Sequence, residues 1–107
     1  MANWVDVCER AALSEAEPKL CVRVADRPLV AVLAGGAVHV VEDVCPHAGL
    51  PLGDGDLTGR VLTCPYHGYA YDTKTGRNID YADDEPLVTF PVRIAGDTVQ
   101  ADLEATS

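Results

Sequence analysis

The chain is short of positive charge. Its 107 residues hold eight Lys and Arg against seventeen Asp and Glu, a formal charge of -9. Such a surface repels phosphate backbones and anionic bilayers, which argues against nucleic acid and membrane partners. Long apolar runs are missing too: no stretch approaches the ~20 residues a membrane helix needs. The opening Met1-Ala2-Asn3-Trp4-Val5-Asp6 lacks the basic segment and apolar run of a secretory signal, and no twin-Arg pair occurs. The expected address is the cytoplasm, where cysteines serve more often as metal ligands or catalysts than as disulfides. There is no Ser-His-Asp set, no phosphate-cradling glycine loop and no flavin fingerprint opening a helix. At this length one domain with one core is expected, without room for a deep substrate cavity as well. The acidity itself has two readings. It suits docking to a basic patch on a partner, with attraction that fades as salt rises, or it serves only solubility.

What is present reads as an all-β chain. Apolar residues fall in short β-branched runs cut by Gly, Pro and Asp, and no helical period persists. Strands are expected near Trp4–Cys8, Leu20–Ala25, Leu29–Leu33, Val38–Val41, Arg60–Thr63, Tyr69–Tyr71, Val88–Ile94 and Thr98–Ala101. Asp26-Arg27-Pro28, Gly35-Gly36 and Ala95-Gly96-Asp97 supply turns, the double glycine marking a hairpin. A single helical turn fits Ser14–Pro18. The pattern implies an antiparallel sandwich or barrel.

Between Cys45 and Gly68 the strand rhythm stops. This stretch holds glycines 49, 53, 55, 59 and 68 and prolines 46, 51 and 65, together with Cys45, His47, Cys64 and His67. A long loop inside a compact domain usually carries function. The four ligand-type residues form two pairs, Cys45-Pro46-His47 and Cys64-Pro65-Tyr66-His67-Gly68, sixteen residues apart. Thiolate and imidazole in that combination suit iron–sulfur ligation or a Cys2His2 zinc site. Cys-x-His is unlike common zinc-finger spacing.

Cys-x-His, sixteen residues, then Cys-x-x-His resembles the signature of Rieske iron–sulfur proteins. Cys45-Pro46-His47-Ala48-Gly49 and Cys64-Pro65-Tyr66-His67-Gly68 are similar to that family's two cluster-binding loops. Asp72, followed by Thr75-Gly76-Arg77, resembles the turn after the second loop. The resemblance implies one Rieske domain over residues 1–107, an antiparallel base carrying a cluster-binding subdomain at about 43–76. It also implies one 2Fe–2S cluster, with His47 and His67 on one iron and Cys45 and Cys64 on the other. Two ferric ions, two sulfides, two thiolates and two neutral imidazoles carry no net charge. Reduction therefore creates a single negative charge, and potentials span about −150 to +300 mV.

Departures from the high-potential respiratory members point to the lower part of that range. The loops have no extra cysteine pair, Tyr66 standing at one such position, and Tyr69 replaces a serine that donates to a sulfide. Tyr71 has two readings: it matches a tyrosine whose hydroxyl donates to a ligand sulfur, which would raise the potential modestly, or it is packed for its ring with its hydroxyl in water. Leu50, Pro51, Leu52 and Pro65 are expected to shield the cluster, with the imidazole edges left as the electron exit.

The implied function is a ferredoxin, monomeric when free, that relays one electron at a time. It would accept electrons from a flavin-containing reductase and pass them to a terminal oxygenase acting on aromatic rings. The chain itself has no room for the mononuclear iron domain of such an oxygenase. Two other functions remain open at this point: a Rieske-like small subunit of an NAD(P)H-dependent nitrite reductase, and a non-redox zinc-binding module. His39 is read as a surface strand residue, Cys8 and Cys21 as free buried thiols that could be neighbours, and Trp4 and Phe90 as core. Asp80–Glu85, with four acidic residues in six, is a solvated loop or a docking patch for a basic reductase.

Overall fold

The computed structural model describes residues 3–46, 49–66, 68–81 and 83–105. Ten strands follow one another: β1 Trp4–Glu9, β2 Lys19–Val24, β3 Arg27–Ala34, β4 Ala37–Glu42, β5 Leu57–Thr58, β6 Val61–Thr63, β7 Ala70–Asp72, β8 Thr89–Phe90, β9 Val92–Ala95 and β10 Thr98–Asp102. All pair antiparallel. They form three sheets, ordered β1-β10-β9, β2-β3-β4-β8 and β5-β6-β7. No helix among the described residues is long and apolar enough to cross a membrane.

The four-stranded sheet is the middle of the molecule, and side-chain alternation splits its two faces between two cores. Along β3, Leu29, Val30, Ala31 and Val32 are all fully buried. Successive side chains of a strand point to opposite faces. Leu29 and Ala31, with Val40 of β4, therefore join Val7, Phe90, Val99 and Ala101 in a first core. Val30 and Val32, with Val41, join Cys45, Leu52, Leu62, Cys64, Tyr71 and Leu87 in a second. A one-residue slip of β3 would exchange the two sets, so this double burial fixes the register.

Local chemistry accounts for where elements start and stop. Gly35 and Gly36 take φ +58° and +80° and turn β3 into β4, as the hairpin reading expected. The β2–β3 turn falls one residue earlier than Asp26-Arg27-Pro28: it is Ala25-Asp26, both at positive φ, and Arg27 and Pro28 already belong to β3. Positive φ at both central positions is the twist-matched hairpin turn, and an alanine there gives no signal in sequence. The single run Val88–Ile94 is in fact two strands. Pro91 has no N–H for a ladder, so β8 ends in the central sheet and β9 begins in the outer one. The short helical turn is a 3-10 turn at Arg10–Ala12, not at Ser14–Pro18. Phe90 is core, but Trp4 is only half-buried, stacked under the Arg93 guanidinium at 4.7 Å.

Candidate metal centre

Two loops leave the strand ends beside the second core. The first follows β4 and carries Cys45; the second follows β6 and carries Cys64. Both cysteines are buried, at 0% and 1% exposure. His47 and His67 lie outside the described residues.

The two loops are closed by the same pair of hydrogen bonds. In the first, the Cys45 N–H donates to the Leu50 carbonyl (2.8 Å) and the Gly49 N–H donates to the Cys45 carbonyl (2.8 Å). In the second, the Cys64 N–H donates to the Tyr69 carbonyl (2.7 Å) and the Gly68 N–H to the Cys64 carbonyl (3.0 Å). Each pairing thus spans five residues forward and four residues back. Gly49 and Gly68 sit at φ +65° and +74°, the left-handed region where other residues are strained. This is why each Cys-Pro pair is followed by a glycine at the same offset.

Behind the cysteines stands Tyr71 of β7, fully buried, with Leu52, Leu62 and Leu87 around it. Its hydroxyl is buried, and its hydrogen-bonding neighbour is the Cys45 sulfur. Burial first, then the Cys45 sulfur beside it and the Cys64 sulfur, push its ionisation far above the usual tyrosine range. The hydroxyl therefore keeps its proton and remains a donor next to two sulfurs. A buried donor needs a strong acceptor, and the sulfurs of a group held by Cys45 and Cys64 would supply one. Two buried cysteines beside a buried hydroxyl donor fit an iron–sulfur cluster.

Of the residues expected to shield the site, Leu52 is buried, while Leu50, Pro51 and Pro65 lie on the surface, as does Tyr66. A segment beyond the expected subdomain also packs here. The Asn78 Oδ1 accepts the Asp80 and Tyr81 N–H groups at 3.0 Å each, and Tyr81 sets its ring edge-on to Tyr69 at 5.8 Å. Leu87 then drops into the second core, its N–H donating to the Gly76 carbonyl at 2.8 Å. Glu85 borders a cavity of about 190 Å³ that Cys45, Pro46 and Gly49 also line. The sequence left open a solvated acidic loop or a docking patch; Asp80, Asp83 and Glu85 are exposed and Asp84 is half-buried, while Asn78 and Leu87 fasten the loop to the site.

Asp43, overlooked in the sequence, lies two residues before Cys45 and is 9% exposed. Its Oδ1 accepts the N–H groups of Leu52 (2.8 Å) and Gly53 (2.7 Å), across the base of the first loop. His39 is half-buried in a groove with Arg60 and Lys74. Burial and then the Arg60 charge lower its pKa, with Asp72 opposing. Cys8 and Cys21 are free thiols. Cys21, however, is exposed rather than buried, because it alternates with Leu20 and Val22, which pack on the first core, and so faces away from that core with Arg23; its ionisation is raised by partial burial and then by Asp43.

A family model for the Rieske [2Fe-2S] domain matches residues 3–91. The chain belongs to the Rieske [2Fe-2S] domain family. Within that family it is a Rieske-type ferredoxin by likeness over nearly its full length. The ferredoxin component of a naphthalene 1,2-dioxygenase system from Pseudomonas aeruginosa is 30% identical over 101 residues, covering 94% of this chain and 96% of that one. The solved ferredoxin of Sphingomonas yanoikuyae B1 superposes with a TM-score of 0.84 at 28% identity, covering 94% and 98% of the two chains. A ferredoxin fold at 30% identity and TM-score 0.81, covering 92% of each chain, occurs in the complex of reduced oxygenase and oxidised ferredoxin of carbazole 1,9a-dioxygenase. The three-sheet architecture and the twin loops described above are thus this family's frame on this sequence.

Proposed function

We propose that this Rieske ferredoxin is the electron-carrying component of a ring-hydroxylating oxygenase system. It would hold one 2Fe–2S cluster through Cys45, His47, Cys64 and His67, take electrons from a flavin-containing reductase and pass them singly to a terminal oxygenase. The observation that carries the reading is the pair of identically closed loops, each ending a strand and each burying one cysteine against Tyr71. The relatives, ferredoxin components of dioxygenase systems, favour a dioxygenase ferredoxin over a nitrite reductase subunit, and the family favours iron–sulfur over zinc.

When bound, the cluster supplies a reversible one-electron couple. The chain's own residues do the rest. Cys45 and Cys64 present thiolates from a core closed off by Leu52, Leu62 and Leu87, which limits water around the sulfurs. Tyr71 points a protonated hydroxyl at those sulfurs, where it stabilises added negative charge. His47 and His67 follow the buried cysteines within the same loops, and the neighbouring Leu50 and Tyr66 are 44% and 51% exposed. The loop tips are thus the face a partner would meet. With no further catalytic site assigned, the chain relays electrons and leaves substrate chemistry to the oxygenase. We assign the whole chain to a single Rieske domain with its cluster-binding subdomain at about 43–76, place it in the cytoplasm and treat the free form as monomeric.

The test is reconstitution. Purified protein is assayed for iron and acid-labile sulfide, then mixed with NADH, a flavin reductase and a ring-hydroxylating terminal oxygenase of the naphthalene type. The reading expects equal iron and sulfide and oxygenase turnover that requires this chain. Zinc without sulfide, or turnover unaffected by omitting the chain, would contradict it.

A further inference from the structure

The first loop is held by a device that the second lacks among the described residues. Cys45 is approached by a chain that ends β4 at Glu42, and it is left by a chain that returns through Leu50 to Leu52 and Gly53. Asp43 stands where the two arms part. One of its oxygens receives both returning N–H groups, at 2.8 and 2.7 Å, and its own N–H donates to the Pro28 carbonyl of β3 at 2.9 Å. Arm, loop and central sheet are thereby tied at one side chain. Leu52, whose N–H is one of the two, is fully buried in the same core as both cysteines.

The fit around the clamp is tight. A Cβ at Gly53 would collide with the Cys21 sulfur and lie 3.1 and 3.3 Å from the Asp43 carboxylate oxygens. Position 53 is therefore glycine for lack of space, not for backbone freedom, since its φ is ordinary. Among the described residues the hydrogen-bond partners of the Asp43 carboxylate are backbone N–H groups. The carboxylate belongs to the residue two positions before Cys45, at most about 7 Å away along the chain.

We infer that Asp43 is a positioning residue for the iron–sulfur site: its carboxylate locks the two arms of the first ligand loop and, by its charge, holds the midpoint potential down. The inference rests on the cluster reading above. Its two parts separate by substitution. Asparagine keeps an oxygen that can accept both N–H groups but removes the charge. Alanine removes both, and leaves two buried donors without partners.

The experiment measures three things on the holoprotein: the rate of cluster loss in the presence of a chelator, the midpoint potential and the EPR line shape of the reduced state. Asp43→Asn should retain the wild-type loss rate and line shape with a raised potential. Asp43→Ala should lose its cluster about tenfold faster and broaden the line. Gly53→Ala, which strains the clamp with its charge intact, should speed cluster loss, and adding Cys21→Ala should restore it. That pair decides the locking role even if Asp43→Ala does not fold. Wild-type behaviour of Gly53→Ala and Asp43→Ala in all three measurements, or an unshifted potential in Asp43→Asn, would overturn the inference alone. A wild-type protein with no Rieske signal would overturn the cluster reading and the inference with it.

Discussion

The two cysteine loops, Cys45–Leu50 and Cys64–Tyr69, have the same backbone closure but different anchors. Each uses a cysteine N–H reaching five residues forward, a glycine N–H reaching back, and a left-handed glycine to complete the turn. The first is then fixed by the Asp43 carboxylate. The second is fixed by strand hydrogen bonds: β7 follows directly, Tyr71 bridges to Asn78, and the Ile79 N–H donates to the Ala70 carbonyl at 2.8 Å. A loop that runs straight into a strand is held by the ladder, whereas a loop that wanders from Leu50 to Leu57 before meeting β5 needs a side chain to pin it. The two loops share the backbone closure around the cysteine, and the anchor is whatever the adjoining chain leaves available.

The largest expected effect abolishes the comparison. Cys45→Ser and Cys64→Ser should each remove the visible absorbance of the reconstituted protein entirely, since either loop without its thiolate leaves the other unable to hold two irons. A variant that keeps full absorbance would show that its loop is not a ligand loop.

Next, the shared closure can be tested for equality. Gly49→Ala and Gly68→Ala place a Cβ in open space at nearly the same positive φ. Both should lower stability by about 1–2 kcal/mol, the cost of a left-handed non-glycine residue, with matched shifts in thermal midpoint. Gly55 offers the contrast, because a Cβ there runs into the Thr63 carbonyl. Unequal shifts at Gly49 and Gly68 would mean that the loops are alike only in outline.

Smaller still is Tyr71→Phe. It leaves the ring in the core and removes only the hydroxyl beside the cysteines, so the midpoint potential, read by redox titration, should fall modestly while the fold is unchanged. An unmoved potential would leave Tyr71 a packing residue. The smallest effect lies away from both loops, at His39. Its pKa is lowered in the folded state, so the unfolded chain binds the proton more readily and stability rises with pH. The contribution is present above the unfolded pKa of 6.5 and is lost as pH falls below it. His39→Gln should flatten the thermal-stability profile between about pH 7 and 5. An unaltered slope would place the acid sensitivity elsewhere.

How much of this was legible in the sequence follows from the range of each interaction. The twin loops stand out because ligand types, prolines and glycines recur at fixed short offsets, and the β3–β4 hairpin because two glycines sit between apolar runs. The family frame follows from those loops. What stayed hidden depends on partners distant in the chain. Asp43 acts on backbone N–H groups nine and ten residues away, and backbone donors leave no mark on residue identity. Leu87 looks like any loop leucine until Tyr71 and Cys64 are seen beneath it. Pro91 was visible, yet only the sheets show that it divides one apolar run between two layers. Ala25 gives no warning of a left-handed turn, and Cys21 reads as core until its face of β2 proves to be the outward one.

The central claim is that two buried cysteines on twin loops, with a histidine from each, hold a Rieske cluster. The most direct measurement is the EPR spectrum of the dithionite-reduced protein, with iron and acid-labile sulfide assayed on the same sample. The account predicts a rhombic signal whose average g lies below that of all-cysteine 2Fe–2S ferredoxins, at one spin per two irons. A signal of the all-cysteine type, or zinc with no signal at all, would contradict it.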